Sequence, residues 1–193
     1  MSTVKNLRST DVEKIQIDEG LIYLDYGETT QRKLAPTRGG GEFVAQATIR
    51  DIEFDGRSGK TAGMQTIDDQ TASLKVTSIC LSQENLELAL PGCRVTGTGA
   101  AAVIKNPKCG VLSAASGSTV YAVNVTMFAK TMDGKFKKIT IFSPIHEGGI
   151  DVKAVQKAEG ELALEFLAHY TTADLNGDLY QIEEVAADPQ ESE

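Results

Sequence analysis

Residues 119 to 142 constrain the fold most. Tyr121, Val123, Val125, Met127 and Ala129 alternate with Asn124, Thr126 and Lys130, and Phe136 to Phe142 returns with the same alternation. A period of two places successive side chains on opposite faces of a strand. Between the two runs stands Asp133-Gly134, a pair suited to the two positive-φ positions of a tight primed turn. The segment is predicted as a β-hairpin, apolar on one face.

Other runs of the same kind surround it. Gly20-Leu-Ile-Tyr-Leu-Asp-Tyr-Gly27 is a glycine-bounded strand, followed by a loop over 28–41 that holds Pro36 and Gly39-Gly40-Gly41. Residues 43 to 54 form a strand whose apolar phase changes. Phe43, Ala45, Ala47 and Ile49 share one parity, Ile52 and Phe54 the other. A β-bulge near Arg50 or Asp51 would produce that slip. A loop over 55–70 precedes a strand over 71–81, with Leu74, Val76 and Cys80 on one face and Thr71, Ser73, Lys75 and Thr77 on the other. Residues 161–171 form a strand with Leu162, Leu164, Phe166, Ala168 and Tyr170 inward, and 180–185 a last strand.

Ser82-Gln-Glu-Asn-Leu-Glu-Leu-Ala-Leu-Pro91-Gly92 is the clearest helix. Ser82 can cap the first turn, Glu84 suits its positive end, and Pro91-Gly92 stops it. Leu86 and Leu90 share a face. Residues 93–118 suggest short strands and turns, and 151–159 a helical turn. The tail from Glu183 holds five acids and no base, which predicts fraying. The chain is therefore all-β or β-dominated, with no parallel βαβ alternation. It divides into an arm over 1–19, a β domain over 20–185 and an acidic tail over 186–193.

The 193 residues suffice for one core without staples. A net charge of −8 and a pI near 4.9 oppose phosphate or anionic-membrane binding. The N-terminus has no apolar signal segment, and no run is long enough to span a bilayer, so folding in a cytoplasm is expected. Cys80, Cys93 and Cys109 lack the spacing of a zinc site or disulfide framework and are expected to be reduced and buried.

No catalytic or cofactor motif is complete. Gly59-Lys60-Thr61 resembles the end of a phosphate loop, but Phe54 stands where the first glycine belongs, and no helix follows. Asp174-Leu-Asn176-Gly177-Asp178 has its glycine at position 4 and Val185 at position 12, wrong for a calcium loop; a turn is expected. His146 and His169 stand apart, and His169 shares a face with Glu165 as an ion pair. Asp68-Asp69 lacks an apolar pocket to raise a pKa. No enzyme activity, metal or cofactor is expected.

Four stretches in order carry a resemblance: Gly20-Leu-Ile-Tyr-Leu-Asp-Tyr-Gly27, Leu34-Ala-Pro-Thr-Arg-Gly-Gly-Gly41, Ile49-Arg-Asp-Ile-Glu-Phe-Asp-Gly56 and Leu81-Ser-Gln-Glu-Asn-Leu-Glu-Leu-Ala-Leu-Pro-Gly92. Over roughly residues 15–92 the chain resembles the major tail protein, or tail-tube protein, of long-tailed bacteriophages. The resemblance implies a β-sandwich or partial barrel with one flanking helix and no active site. It implies a virion tail protein made in the host cytoplasm. Hexameric rings would stack into a tube, meeting tape-measure, tail terminator and baseplate proteins and passing DNA without specific binding. The acid excess suits such a channel, since like charge suppresses phosphate contacts. Two alternatives stay open: another tube- or fibre-forming subunit, as in secretion tubes, or a small-molecule-binding β-barrel.

On this basis the strands over 43–54 and 71–81 are expected to pair and join an inter-subunit barrel. Ala45, Ala47, Leu74 and Val76 would face the core, and Gln46, Thr48, Ser73, Lys75 and Thr77 the channel. The loop over 55–70, with Arg57, Lys60, Met64, Ile67, Asp68 and Asp69, is the candidate ring-to-ring connector. Lys130, Lys135, Lys137 and Lys138, around the hairpin turn, are the candidate inter-subunit contact.

Overall fold

A computed structural model describes residues 13–17, 20–56, 58–97, 101–112, 120–152 and 159–186. Its elements are β1 (Leu21–Leu24), β2 (Arg32–Lys33), β3 (Thr37–Asp51), β4 (Gln65–Ser78), α1 (Gln83–Ala89), β5 (Arg94–Thr96), β6 (Val103–Lys105), β7 (Asn124–Lys130), β8 (Phe136–Phe142), β9 (Ile145–His146), β10 (Leu162–Leu167) and β11 (Tyr180–Val185). Strands β11-β8-β7-β1-β2 form one sheet, β3-β4-β10-β9 a second, and β5-β6 a small third. Every ladder is antiparallel. The fold is all-β and sandwich-like, with one short helix among the described residues and no closed barrel.

The core lies between the two large sheets. Ile22, Leu24, Val125, Met127 and Ile141 meet Leu74, Val76, Leu162, Leu164 and Phe166. Each fully buried aliphatic or aromatic chain contributes about 1.5–3 kcal/mol. Gly41 lets the sheets approach: a Cβ there would lie 2.5 Å from Met127 Sδ and 3.1 Å from Ile22 Cδ1. Two residues further along β3, Phe43 meets Tyr180 of β11 edge to face. Strand β3 thus crosses the first sheet from above β1 and β7 to its β11 edge.

The hairpin β7–β8 forms, but β7 is not amphipathic. Residues Asn124 to Ala129 are all buried, because β7 lies between β1 and β8 with both faces covered. Val125, Met127 and Ala129 are buried, Val125 and Met127 in the main core. On the other face Phe128 packs with Tyr23 and Phe136, and Thr126 shares a hydroxyl hydrogen bond with Thr140. The turn also differs from a two-residue primed turn. Thr131 pairs with Lys135, and only Gly134 of the central pair has positive φ, +82°. This is a three-residue loop ending in a left-handed glycine. Asp133 Oδ1 selects it by accepting from Thr131 Oγ1 and from the Lys135 N–H.

Strands β3 and β4 run longer than their sequence boundaries suggest. Gly39 and Gly40 take positive φ, +76° and +75°, and form a register shift inside β3 rather than a loop before it. Strand β4 begins at Gln65, so Ile67, Asp68, Asp69 and Gln70 belong to a strand. The loop is only 52–64. The second register shift falls between Thr48 and Ile49, with Asp68 of β4 as the extra residue. It lies one residue earlier than expected and on the facing strand. The phase change at Ile52 and Phe54 marks the end of β3. Strand β10 stops at Leu167, leaving Tyr170 exposed. Strand β11 occupies its expected residues and includes Glu183 and Glu184, so the acidic run does not fray from Glu183.

Helix α1 is capped by Ser82, whose hydroxyl accepts from the Asn85 N–H. The face it sinks is Asn85 and Ala89; Leu86 and Leu90 are half-buried. Asn85 decides this, because Nδ2 donates to Cys80 O at 2.9 Å and Oδ1 accepts from Arg32 at 2.9 Å. Cys109 is exposed, and Cys80 and Cys93 are half-buried, so full burial of the thiols is not realised. His169 faces Glu147 at 3.6 Å rather than Glu165, which pairs with Lys75 at 3.4 Å. The expected helical turn over 151–159 falls mostly, and the arm and tail largely, outside the described residues.

Candidate assembly interface

The β3–β4 pair divides into two halves. In the inner half β4 is flanked on both sides: β10 pairs with it from Ser78↔Leu162 to Ser73↔Leu167. Past Ala72, which accepts one further bond from the Ala168 N–H, β4 has β3 alone as strand partner among the described residues. The outer half, Gln46–Asp51 against Gln65–Thr71, is therefore a two-stranded ribbon with no third strand paired to it among the described residues. At about 3.3 Å per residue it projects roughly 20 Å. A two-stranded ribbon in water is marginally stable by itself.

Its side chains continue the sandwich interior. Phe43↔Leu74, Ala45↔Ala72, Ala47↔Gln70 and Ile49↔Ile67 are successive cross-strand pairs on one face. Leu74 and Ala72 are buried, whereas Ala45 and Ala47 are exposed and Ile49 and Ile67 are 63% and 54% exposed. The expected inward set thus splits: Leu74 and Val76 face the core, but Ala45 and Ala47 lie beyond its edge. The core-facing stripe runs on with nothing beneath it among the described residues.

The connector candidates gather on this ribbon and its tip, except Arg57, which lies outside the described residues. Lys60 is 84% exposed in the tip, 3.7 Å from Asp51. Met64 closes the tip, its carbonyl accepting from the Ile52 N–H at 2.8 Å. Asp68, the bulge residue, accepts from Arg50 Nε at 2.7 Å. Asp69 stands opposite Thr48. Ile49, Ile52 and Phe54 also expose apolar surface here, with Ile52 and Phe54 at 40% and 47%. The out-of-phase apolar positions at Ile52 and Phe54 were the sequence signal for them.

Three of the four lysines of the basic cluster form ion pairs within the chain. Glu184 of β11 receives Lys135 at 2.5 Å and Lys137 at 2.6 Å, and Lys138 lies 3.6 Å from Glu183. The two hydrogen-bonded lysines hold the Glu184 carboxyl at a pKa of about 2. Lys130 lies over the Phe136 ring and Lys138 over the Tyr26 ring. Sequence alone could not find these partners, because β11 and β8 are joined only by tertiary pairing.

Among the described residues no cluster of three His, Cys, Asp or Glu side chains could hold a metal. None of their helices is long and apolar enough to cross a membrane. His146 is buried with both ring nitrogens engaged: Nδ1 accepts from the Glu165 N–H at 2.9 Å, and Nε2 faces Gly149 O at 2.9 Å. Its environment is structural. Asp174 forms a turn, accepting from the Asn176 N–H.

No family model matches the chain, and no curated protein matches it. Among solved structures, one similar chain belongs to "Virion of native gene transfer agent (GTA) particle", with a TM-score of 0.38 and 13% identity, over 79% of this chain and 92% of that chain. Another belongs to "Tail of empty GTA particle computed with helical refinement, C6 symmetry", with a TM-score of 0.40, 13% identity and the same coverage. Likeness this distant assigns no role to this chain.

Proposed function

We propose that the chain is a structural subunit of a bacteriophage-type tail tube, assembling as hexameric rings that stack into a channel. The carrying observation is the ribbon: it projects from a sandwich-like unit with an exposed continuation of the core stripe and, among the described residues, no strand paired to either of its outer backbone edges. Exposed strand edges drive pairing with another chain unless they are blunted, and closure of strands into a barrel removes edges altogether. The ribbons of neighbouring subunits would pair edge to edge and close around the channel. The tip over 52–64, with Lys60 and Met64, would reach the next ring. The ordered sequence resemblance supports the same role. The function is geometric, with no reaction to catalyse; tape-measure protein and DNA would occupy the channel.

Electron microscopy and sedimentation velocity test this on the whole chain and on a variant with residues 46–71 replaced by a short turn. The whole chain should form rings or tubes, and the variant a folded monomer. A whole chain that stays monomeric at high concentration, or a variant that still forms tubes, overturns the proposal.

A further inference from the structure

We infer that a groove between α1 and the β1–β2 turn receives the ribbon tip of a second copy of this chain. This rests on the assembly reading above and names the receiving surface. The groove has a volume of about 620 Å³ and is lined by Leu88, Leu90, Val95 and Val123, with Glu84 and Glu87 at its helical side. Val95 and Val123 are 37% and 54% exposed, although they flank a concave surface. The tip offers exposed Ile52 and Phe54 for the apolar lining and Lys60 for its acids, with the exposed Glu53 and Asp55 on the same loop left to face solvent.

One charge contact favours this pairing. Inside the groove Asp25 is already engaged, accepting from the Val123 N–H at 2.7 Å and the Thr30 hydroxyl at 2.9 Å. Arg32 is turned toward Asn85 and Glu84. Glu87 accepts from the neutral Gln83 amide and keeps its charge uncompensated by that bond. Lys60 is 84% exposed and loosely placed against Asp51. A tip seated with Phe54 and Ile52 among the groove leucines would bring Lys60 to Glu87, since Arg32 already faces Glu84. Opposite charges at the rim of such a contact set register and partner choice.

Topology also favours it. The groove lies at the β1–β2 side of the five-stranded sheet, whereas β3 passes Tyr180 at the β11 edge before its ribbon begins. Donor and acceptor surfaces thus sit at opposite edges of one subunit. A head-to-tail contact of that kind propagates, closing into a ring or continuing as a filament. A contact of one patch with itself would stop at a dimer.

The test uses Phe54→Cys in a chain carrying Cys80→Ala and Cys109→Ser, leaving Cys93 at the groove. Burial and Glu87 raise the Cys93 thiol pKa, so a short bismaleimide is applied at pH about 8.5. Covalent multimers should form in the assembled sample and vanish when Cys93→Ala is added. Assembled tubes in which residue 54 does not link to Cys93 overturn the groove while the tube reading stands. A chain that stays monomeric overturns both. As an independent measurement, Lys60→Glu or Glu87→Lys alone should raise the concentration needed for assembly about tenfold, and the two together should restore it to within about threefold. Failure of the double reversal to recover assembly counts against the groove.

Discussion

Phe43 and Tyr180 meet edge to face, with ring centroids 5.3 Å apart and planes at 61°, and this contact marks where the sandwich ends and the ribbon begins. On one side of it Leu74 is fully buried; on the other Ala45 is exposed. The ring pair joins the edge strand of one sheet to the edge strand of the other.

Phe43→Ala should therefore lower stability by about 2 kcal/mol, less than the loss of a fully buried phenylalanine because Phe43 is half-buried. Urea denaturation followed by circular dichroism measures it. A change below about 0.5 kcal/mol would show that the pair does not fasten the edges.

Gly41→Ala should destabilise by about 1–2 kcal/mol, since its Cβ meets Met127 Sδ and Ile22 Cδ1. Met127→Ala removes the nearest obstructing atom. The double variant should be more stable than the sum of the single losses predicts, by at least about 0.5 kcal/mol. Strict additivity in thermal melts would contradict the close approach.

Asn85→Ala should cost about 2 kcal/mol, because it strips Cys80 O and Arg32 of a shared partner beneath the helix. Leu86→Ala, on the half-buried face, should cost less. The reverse order in chemical denaturation would mean that the helix sits on its leucines.

The Glu184 carboxyl should titrate near pH 2 in carbon-detected NMR, held down by hydrogen bonds from Lys135 and Lys137. The double variant Lys135→Ala, Lys137→Ala should return it toward its ordinary value of 4.5. A group whose folded pKa is depressed contributes its stability above the unfolded value and loses it as pH falls through the folded one. The clamp is therefore intact above pH 4.5 and lost progressively down to about 2. A midpoint near 4.5 in the unaltered chain would remove the clamp.

Local chemistry was legible in the sequence wherever it acts over a few residues. Ser82 capped the helix, Tyr180–Val185 formed a strand, and Leu162, Leu164 and Phe166 went inward, because caps and period-two patterns depend on near neighbours and one buried face. The alternation at Leu74 and Val76 was likewise enough to orient the inner part of β4. Tertiary structure alone decided the rest. Whether Asn124, Thr126 and Phe128 face water depends on β7 having a sheet neighbour on each side and a second apolar cluster over its outer face. Whether Lys135 and Lys137 are free depends on β11 arriving beside β8 from some fifty residues away. The same stripe of alternation passes through Leu74, Ala72, Ala45 and Ile67, yet only its first part meets a facing sheet. Periodicity specifies which side chains share a face; the length of the opposing sheet determines where that face becomes surface.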